Sequence, residues 1–229
     1  MLERILDFER ETFLFLNGIH TPFLDQFVWL YTGKIVWIPI AALILFIICY
    51  KKNWKESILI LLSIVLIITL CDQFASSICK PLFARYRPTQ HPEFMGEVQT
   101  VFGYTGGKYG FISSHAANAF GFALFTLLLF RNRIYTIFIL IWSSFMCYTR
   151  IYLGVHFISD IIPGIIVGLF FSYLCYKLYL FARKKVLKPT NGPEQLYTIV
   201  QKNSIAYGIL ATISFLLIFS LIKVSAHII

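Results

Sequence analysis

The sequence predicts an all-α membrane protein, a bundle of about six transmembrane helices preceded by a short N-terminal interfacial helix. Three observations carry that expectation. The 229 residues are 58% hydrophobic and only 14% charged, against about 25% charged in soluble domains, and the mean hydropathy is +0.74. Several apolar runs approach or pass the roughly 20 residues that cross a bilayer. Aromatic residues make up 17% of the chain, including 23 Phe and 13 Tyr, as expected of lipid-facing helices with interfacial belts. A soluble domain cannot bury runs of that length, and the chain length suits one domain.

Residues 1–20 form the expected interfacial element. Leu2, Ile5, Leu6, Phe13 and Leu16 recur at helical spacing with Glu3, Arg4, Asp7 and Arg10 between them, the pattern of a helix lying in the membrane plane. The same stretch is too acidic and too interrupted for a signal peptide. Thr21 and Pro22 offer an N-cap and a first-turn proline for the first span, with Asp25 in its opening turn. The purely apolar part, 35–50, measures about 24 Å at 1.5 Å per residue, so this span is expected to begin near Pro22, with Lys34 snorkelling or facing the bundle. Further spans are expected at 54–79, 115–131, 134–150, 157–181 and 204–226, separated by Lys51-Lys52-Asn53, by Arg131-Asn132-Arg133 and by a polar linker at 183–203 holding Pro189, Asn191, Gly192 and Pro193. The chain therefore divides into the helix at 1–20, a five-span core at 21–182, a cytoplasmic linker at 183–203 and a C-terminal transmembrane helix at 204–229.

The formal charge of +9 does not indicate nucleic acid, because the cations gather at span ends rather than along one polar face. Alternating the spans puts nine of them (Lys51, Lys52, Lys55, Arg131, Arg133, Arg183, Lys184, Lys185 and Lys188) on one side, which the positive-inside rule makes cytoplasmic. The expected location is the bacterial inner membrane, with both termini on the periplasmic or exterior side. Five cysteines (Cys49, Cys71, Cys79, Cys147 and Cys175) lie in or at the ends of apolar runs with no C-x-x-C pair and no zinc-ligand spacing. Neither a metal nor a cofactor is expected.

Three polar clusters fall on the opposite side. Lys80, Arg85 and Arg87 place three cations within eight positions at a span end the positive-inside rule disfavours, which points to an anion site; arginine gives planar, bidentate contacts to phosphate oxygens. Ser113-Ser114-His115 opens an apolar run, where exposed N–H groups of a helix N-terminus bind phosphate. Arg150, His156 and Asp160 form the third; a histidine and an aspartate four apart share a helix face, and the carboxylate fixes the ring's tautomer. Polar groups in such a chain are costly, so they ask for a function.

In order, Lys80-x6-Arg87-Pro88, Ser113-x-His115 and Arg150-x5-His156-x3-Asp160 resemble the signature of the type 2 phosphatidic acid phosphatase family, integral membrane lipid phosphatases. The likeness covers roughly 20–182. Ile112 and Ser114 stand where that family's loop has proline and glycine, and Thr149 where it has serine. The resemblance implies that His156 is the nucleophile, forming a phosphohistidine oriented by Asp160. It also implies that Lys80, Arg87, Arg150, Ser113 and Ser114 hold the phosphate, while His115 protonates the leaving group and then activates water. The expected partner is an amphiphilic lipid phosphate of the cell envelope: a lipid A phosphate, undecaprenyl diphosphate, phosphatidylglycerophosphate or phosphatidic acid. The competing reading is a lipid-phosphate binding or transport protein without turnover, which has no use for two histidines.

Overall fold

The computed structural model describes residues 2–226, with the backbone alone for 2–5 and 7. The expected apolar and charged positions Leu2, Glu3, Arg4, Ile5 and Asp7 thus lie outside the described side chains. Among the described residues the regular secondary structure is helical, apart from one antiparallel bridge between Tyr86 and Tyr109. The helices are α1 (Leu2–Asn17), α2 (Pro22–Thr32), α3 (Ile38–Cys49), α4 (Trp54–Gln73), α5 (Lys80–Phe83), α6 (Ser114–Phe130), α7 (Arg133–Tyr152), α8 (Ile158–Leu187) and α9 (Ile199–Ser225).

Four stretches are long and apolar enough to cross a membrane: Trp54–Phe83, Arg133–Tyr152, Ile158–Leu187 and Ile199–Ser225. The two remaining expected spans differ from a plain helix. The first is broken, because α2 and the helical stretch from Ile35 meet at 64° across Gly33 and Lys34. Gly33 leaves the helix with extended backbone, so hydropathy over 22–50 describes two short helices and not one rod. The other, α6, has 17 residues, about 25 Å at 1.5 Å per residue. It packs against α4, α7 and α8, so enclosure by its neighbours substitutes for length.

The α6–α8 contact is the closest in the bundle. A Cβ on Gly168 would lie 2.3 Å from the Ala117 carbonyl oxygen, and one on Gly164 would lie 2.6 Å from that of Ser113. Small residues four apart let two backbones touch in a medium where helix association rests on packing. Across the top of this contact the Ser113 N–H donates to the Asp160 carbonyl at 3.0 Å, which ties the second polar cluster to the third.

Helix α1 buries Leu6 and Phe13 and exposes Phe8 and Phe15. Its buried face does more than rest on the bundle. Asn17 donates to the carbonyls of Gln99, Ile151 and Tyr152 at 3.0–3.2 Å, and the exposed Arg10 pairs with Glu97. At the opposite end of the bundle Arg183 donates to both Glu56 oxygens at 2.9 Å and to the Asn191 carbonyl at 2.7 Å. Tyr179 reaches the same carboxylate. Helix α9 docks on α2, α3 and α7.

Candidate active site

Lys80 stands at the end of a modified helix. Pro81 has no N–H to continue the ladder; the preceding turn, Phe74–Cys79, widens to π geometry, and the Lys80 N–H reaches back to the Ala75 carbonyl. Single π-turns of this kind recur at functional sites. The Lys80 ammonium donates to Ser76 Oγ at 3.2 Å. Ala84, in the left-handed region, then ends the element.

The chain next crosses a long loop whose two arginines have different fates. Arg87 donates Nε to the Tyr109 carbonyl at 3.1 Å and Nη1 to that of Val155 at 3.3 Å. Arg85 donates to Asp160 Oδ1 at 2.7 Å, to Ser159 Oγ at 2.7 Å and to Glu9 Oε1 at 2.9 Å. Its guanidinium also sits 4.7 Å from the centre of the Phe157 ring. Glu9 in turn accepts from the Ser159 N–H and hydroxyl at 2.8 and 2.5 Å. Of the three cations that mark this cluster as an anion site, Lys80 and Arg87, the two expected to hold phosphate, have no carboxylate partner among the described residues, whereas Arg85 is paired with two buried carboxylates.

Ser113 is the N-cap of α6 and is fully buried. Its N–H is committed to Asp160 and its oxygen accepts from the Ala116 N–H, leaving its hydroxyl proton as the donor to spare. Ser114 and His115 follow in the first turn and both face open space. His115 lines two cavities. One, of about 320 Å³, is bounded by Trp29, Thr32, Lys34, Tyr104 and Arg150; the other, of about 370 Å³, runs between α4, α6 and α7.

At the end of α7, Gly154 (φ +67°) turns the chain back, so that the Val155 and His156 N–H groups both meet the Arg150 carbonyl. A Cβ there would be 2.5 Å from Val98. Arg150 is 3% exposed, and its guanidinium donates to the hydroxyls of Thr149 and Thr32. His156 lies ahead of α8, not on it, so the shared helix face that the spacing suggests is not what brings it to Asp160. The contact arises across the capping turn. Asp160 accepts the Phe157 N–H at 3.0 Å, and its Oδ2 is 3.4 Å from His156 Nδ1, a close contact without the alignment of a hydrogen bond. Gly110 closes over the pair; a Cβ on it would be 3.0 Å from Asp160 Oδ2 and 3.5 Å from His156 Nδ1. Burial pushes the imidazole pKa down to about 4, with Asp160 pulling the other way.

The arrangement brings the three clusters together. Lys80, Arg87, Arg150 and His156 all lie within electrostatic range of His115. His115, Ser114 and Arg150 form cavity walls, while His156 and Asp160 sit behind them. Among the described residues neither Arg87 nor Arg150 is ion-paired to a carboxylate, and no three His, Cys, Asp or Glu side chains gather as a metal-binding group. Reading the sequence missed Glu9, Ser159 and Thr32. The polar break Thr32-Gly33-Lys34 inside an apolar run was the signal for the last.

A helical membrane bundle carrying this arrangement belongs to a class of membrane-embedded phosphatases. The chain is a member of the PAP2 superfamily, whose sequence profile matches residues 57–184. It is 50% identical over 188 residues to a lipid A 4'-phosphatase of Porphyromonas gingivalis, covering 81% of this chain and 79% of that protein. It is 37% identical to a lipid A 4'-phosphatase of Bacteroides thetaiotaomicron over 97% of this chain and all of that one. An undecaprenyl-diphosphatase of Sulfolobus acidocaldarius is 30% identical over 71% of this chain and 70% of its own. Two crystal structures share the fold. Aquifex aeolicus LpxE has a TM-score of 0.52 at 24% identity, over 74% of this chain and 95% of that one. A PAP2-type phosphatidylglycerolphosphate phosphatase from Bacillus subtilis has a TM-score of 0.57 at 19% identity, over 80% and 88%.

Proposed function

We propose that the protein removes a phosphate from a lipid A-type glycolipid, using His156 as the nucleophile. The observation that carries the chemistry is the pair of cations, Arg87 and Arg150, held without carboxylate partners beside two histidines. A phosphoryl group needs mainly positioning and positive charge. With Nδ1 turned to Asp160, the Nε2 of His156 attacks phosphorus. The bond from phosphorus to the lipid oxygen breaks, and His115 gives that oxygen its proton. In the second step His115 takes a proton from water, the resulting hydroxide attacks the phosphohistidine, and inorganic phosphate leaves as His156 is regenerated. Lys80, Arg87, Arg150, Ser113 and Ser114 carry the charge that builds on the phosphate oxygens.

The choice of lipid rests on the two lipid A 4'-phosphatase relatives, one of which aligns across both terminal helices. The substrate amphiphile is presented on the periplasmic or exterior face of the inner membrane, as the distribution of Lys and Arg supports, with the linker at 183–203 in the cytoplasm. The test is to incubate the purified protein with bis-phosphorylated lipid A and, separately, with undecaprenyl diphosphate, and to follow the products by mass spectrometry. Loss of one phosphate from lipid A, abolished in His156→Ala, is the expected result. Turnover of undecaprenyl diphosphate alone would transfer the assignment to the chemistry named for the Sulfolobus relative.

A further inference from the structure

Two residues that line the cavity of about 370 Å³ beside His115 each carry a polar atom with nothing to bond. Asn118 Oδ1, on α6, and Trp142 Nε1, on α7, are both buried and unpartnered, and both residues line this space. An unmet buried donor or acceptor costs on the order of 1–3 kcal/mol, so a polar group that reached these two atoms from the cavity their side chains wall, beside His115, would recover that cost.

The cavity does not end there. It shares Trp37, Phe122 and Trp142 with a third space, of about 170 Å³, whose further walls are Ile40, Ala41, Ile44, Ile139 and Ile209. This inner space has no charged or hydrogen-bonding wall except the Trp indoles. From His115 to Phe122 is seven residues of α6, about 10 Å along the axis, and Ile139 lies roughly one turn of α7 further. The two spaces thus follow one another from His115 along α6 to an apolar pocket bordered by α9, with the rings of Trp37, Phe122 and Trp142 as the walls between them. Gly208 allows that approach, since a Cβ on it would lie 3.0 Å from Ile40 Cδ1. Helix α9 lies outside the stretch matched by the family profile.

We infer that these two spaces hold one acyl chain of the substrate, and that Trp142 and Asn118 bind the amide or ester joining that chain to the phosphorylated sugar. The inference rests on the lipid phosphatase reading and names which part of the lipid is recognised. A carbonyl accepts from the indole N–H, and an amide N–H or a chain hydroxyl donates to the Asn118 oxygen. A polyprenyl chain offers neither group. The two polar atoms therefore select acylated phosphates over isoprenoid ones, and the apolar pocket selects for chain length.

The experiment uses the full chain in detergent with three substrates: acylated lipid A, the same phosphorylated disaccharide stripped of its acyl chains, and undecaprenyl diphosphate. Trp142→Phe keeps the ring and removes the donor. Its ratio of kcat/KM for acylated over deacylated substrate should fall about fivefold, the equivalent of one hydrogen bond of about 1 kcal/mol. Ala41→Phe fills the inner pocket, and its ratio should fall at least as far. Unchanged ratios in both variants would overturn the inference, as would an equal loss on undecaprenyl diphosphate in Trp142→Phe. If Ala41→Phe does not fold, Trp142→Phe decides alone. A wild-type protein inactive on all three substrates would instead refute the functional assignment, a separate outcome.

Discussion

Arg85 is a buried cation already paired with two carboxylates, and its removal should show in stability first. Its side chain is 1% exposed, and those of its partners Asp160 and Glu9 are 0% and 9% exposed. Arg85→Met leaves both carboxylates buried with no counter-charge and breaks three hydrogen bonds. Losing one member of a buried ion pair typically costs about 3–5 kcal/mol, most of it the uncompensated charge left behind. The half-exposed pair Arg10–Glu97 provides an internal control, because such surface pairs contribute about 0–1 kcal/mol. Arg85→Met is therefore expected to unfold about 3–5 kcal/mol more easily in detergent micelles, followed by tryptophan fluorescence, while Arg10→Ala changes by less than about 1 kcal/mol. Adding Glu9→Gln to Arg85→Met should return roughly 1 kcal/mol or more, since partners in one network are non-additive. The reasoning is refuted if Arg85→Met keeps wild-type stability but loses vanadate affinity. That pattern would make Arg85 a phosphate ligand, as its place in the sequence suggests.

Four further outcomes are expected. His156→Ala should fold and insert normally yet retain no more than a few per cent of turnover, and wild type quenched in alkaline detergent should carry label on His156 from substrate with a radioactive phosphate, lost again on acidification; label on His115 would reverse the two roles. With a pKa of about 4, below the ordinary 6.5, His156 is neutral through the physiological range, so kcat/KM should fall as pH drops through about 4 with no limb near 6.5 from this group. Stability should decline over the same window as pH falls from about 6.5 to about 4, because the unfolded chain binds the proton first; a nucleophile limb near 6.5 would contradict the burial of His156. Hydrolysis should persist in excess EDTA and be blocked by vanadate, and loss in EDTA with recovery on adding Mg²⁺ would point to metal-assisted chemistry. In a cysteine-free background an impermeant maleimide applied to spheroplasts should label a cysteine at Lys108 and not one at Lys184; the reverse pattern would invert the topology.

The sequence offered eight charged, imidazole and hydroxyl candidates for the site because each costs free energy at the end of an apolar run, and their order and spacing are local facts. What was not legible depends on contacts remote in the chain. Arg85 and Arg87 are separated by one residue and carry the same charge; only the arrival of Glu9, 76 residues earlier, and of Asp160, 75 residues later, tells them apart. Thr32 meets Arg150 across 118 positions. The bend at Gly33 was hidden for another reason. Hydropathy averages over a window, and two short apolar helices at 64° average to the same value as one straight span. The His156–Asp160 contact was expected for a reason the fold does not use, since the chain becomes helical only after His156.

The fate of each arginine sorts the site more sharply than its charge does. Arg183 and Arg85 are buried against carboxylates, Glu56 in one case and Glu9 with Asp160 in the other, so each is electrically closed. Arg150 is equally buried, but its guanidinium meets hydroxyls, and Arg87 meets backbone carbonyls. Hydroxyl and carbonyl dipoles satisfy hydrogen-bond geometry without cancelling a charge. A cation kept in that condition inside a membrane protein is costly, and the cost is offset when an anion arrives. Positions held this way gain most from the charge that appears as a phosphorus–oxygen bond breaks. By the same logic Arg85 has nothing left to give a substrate: both of its anions are already in place, and it holds Asp160, whose other oxygen faces the ring of His156.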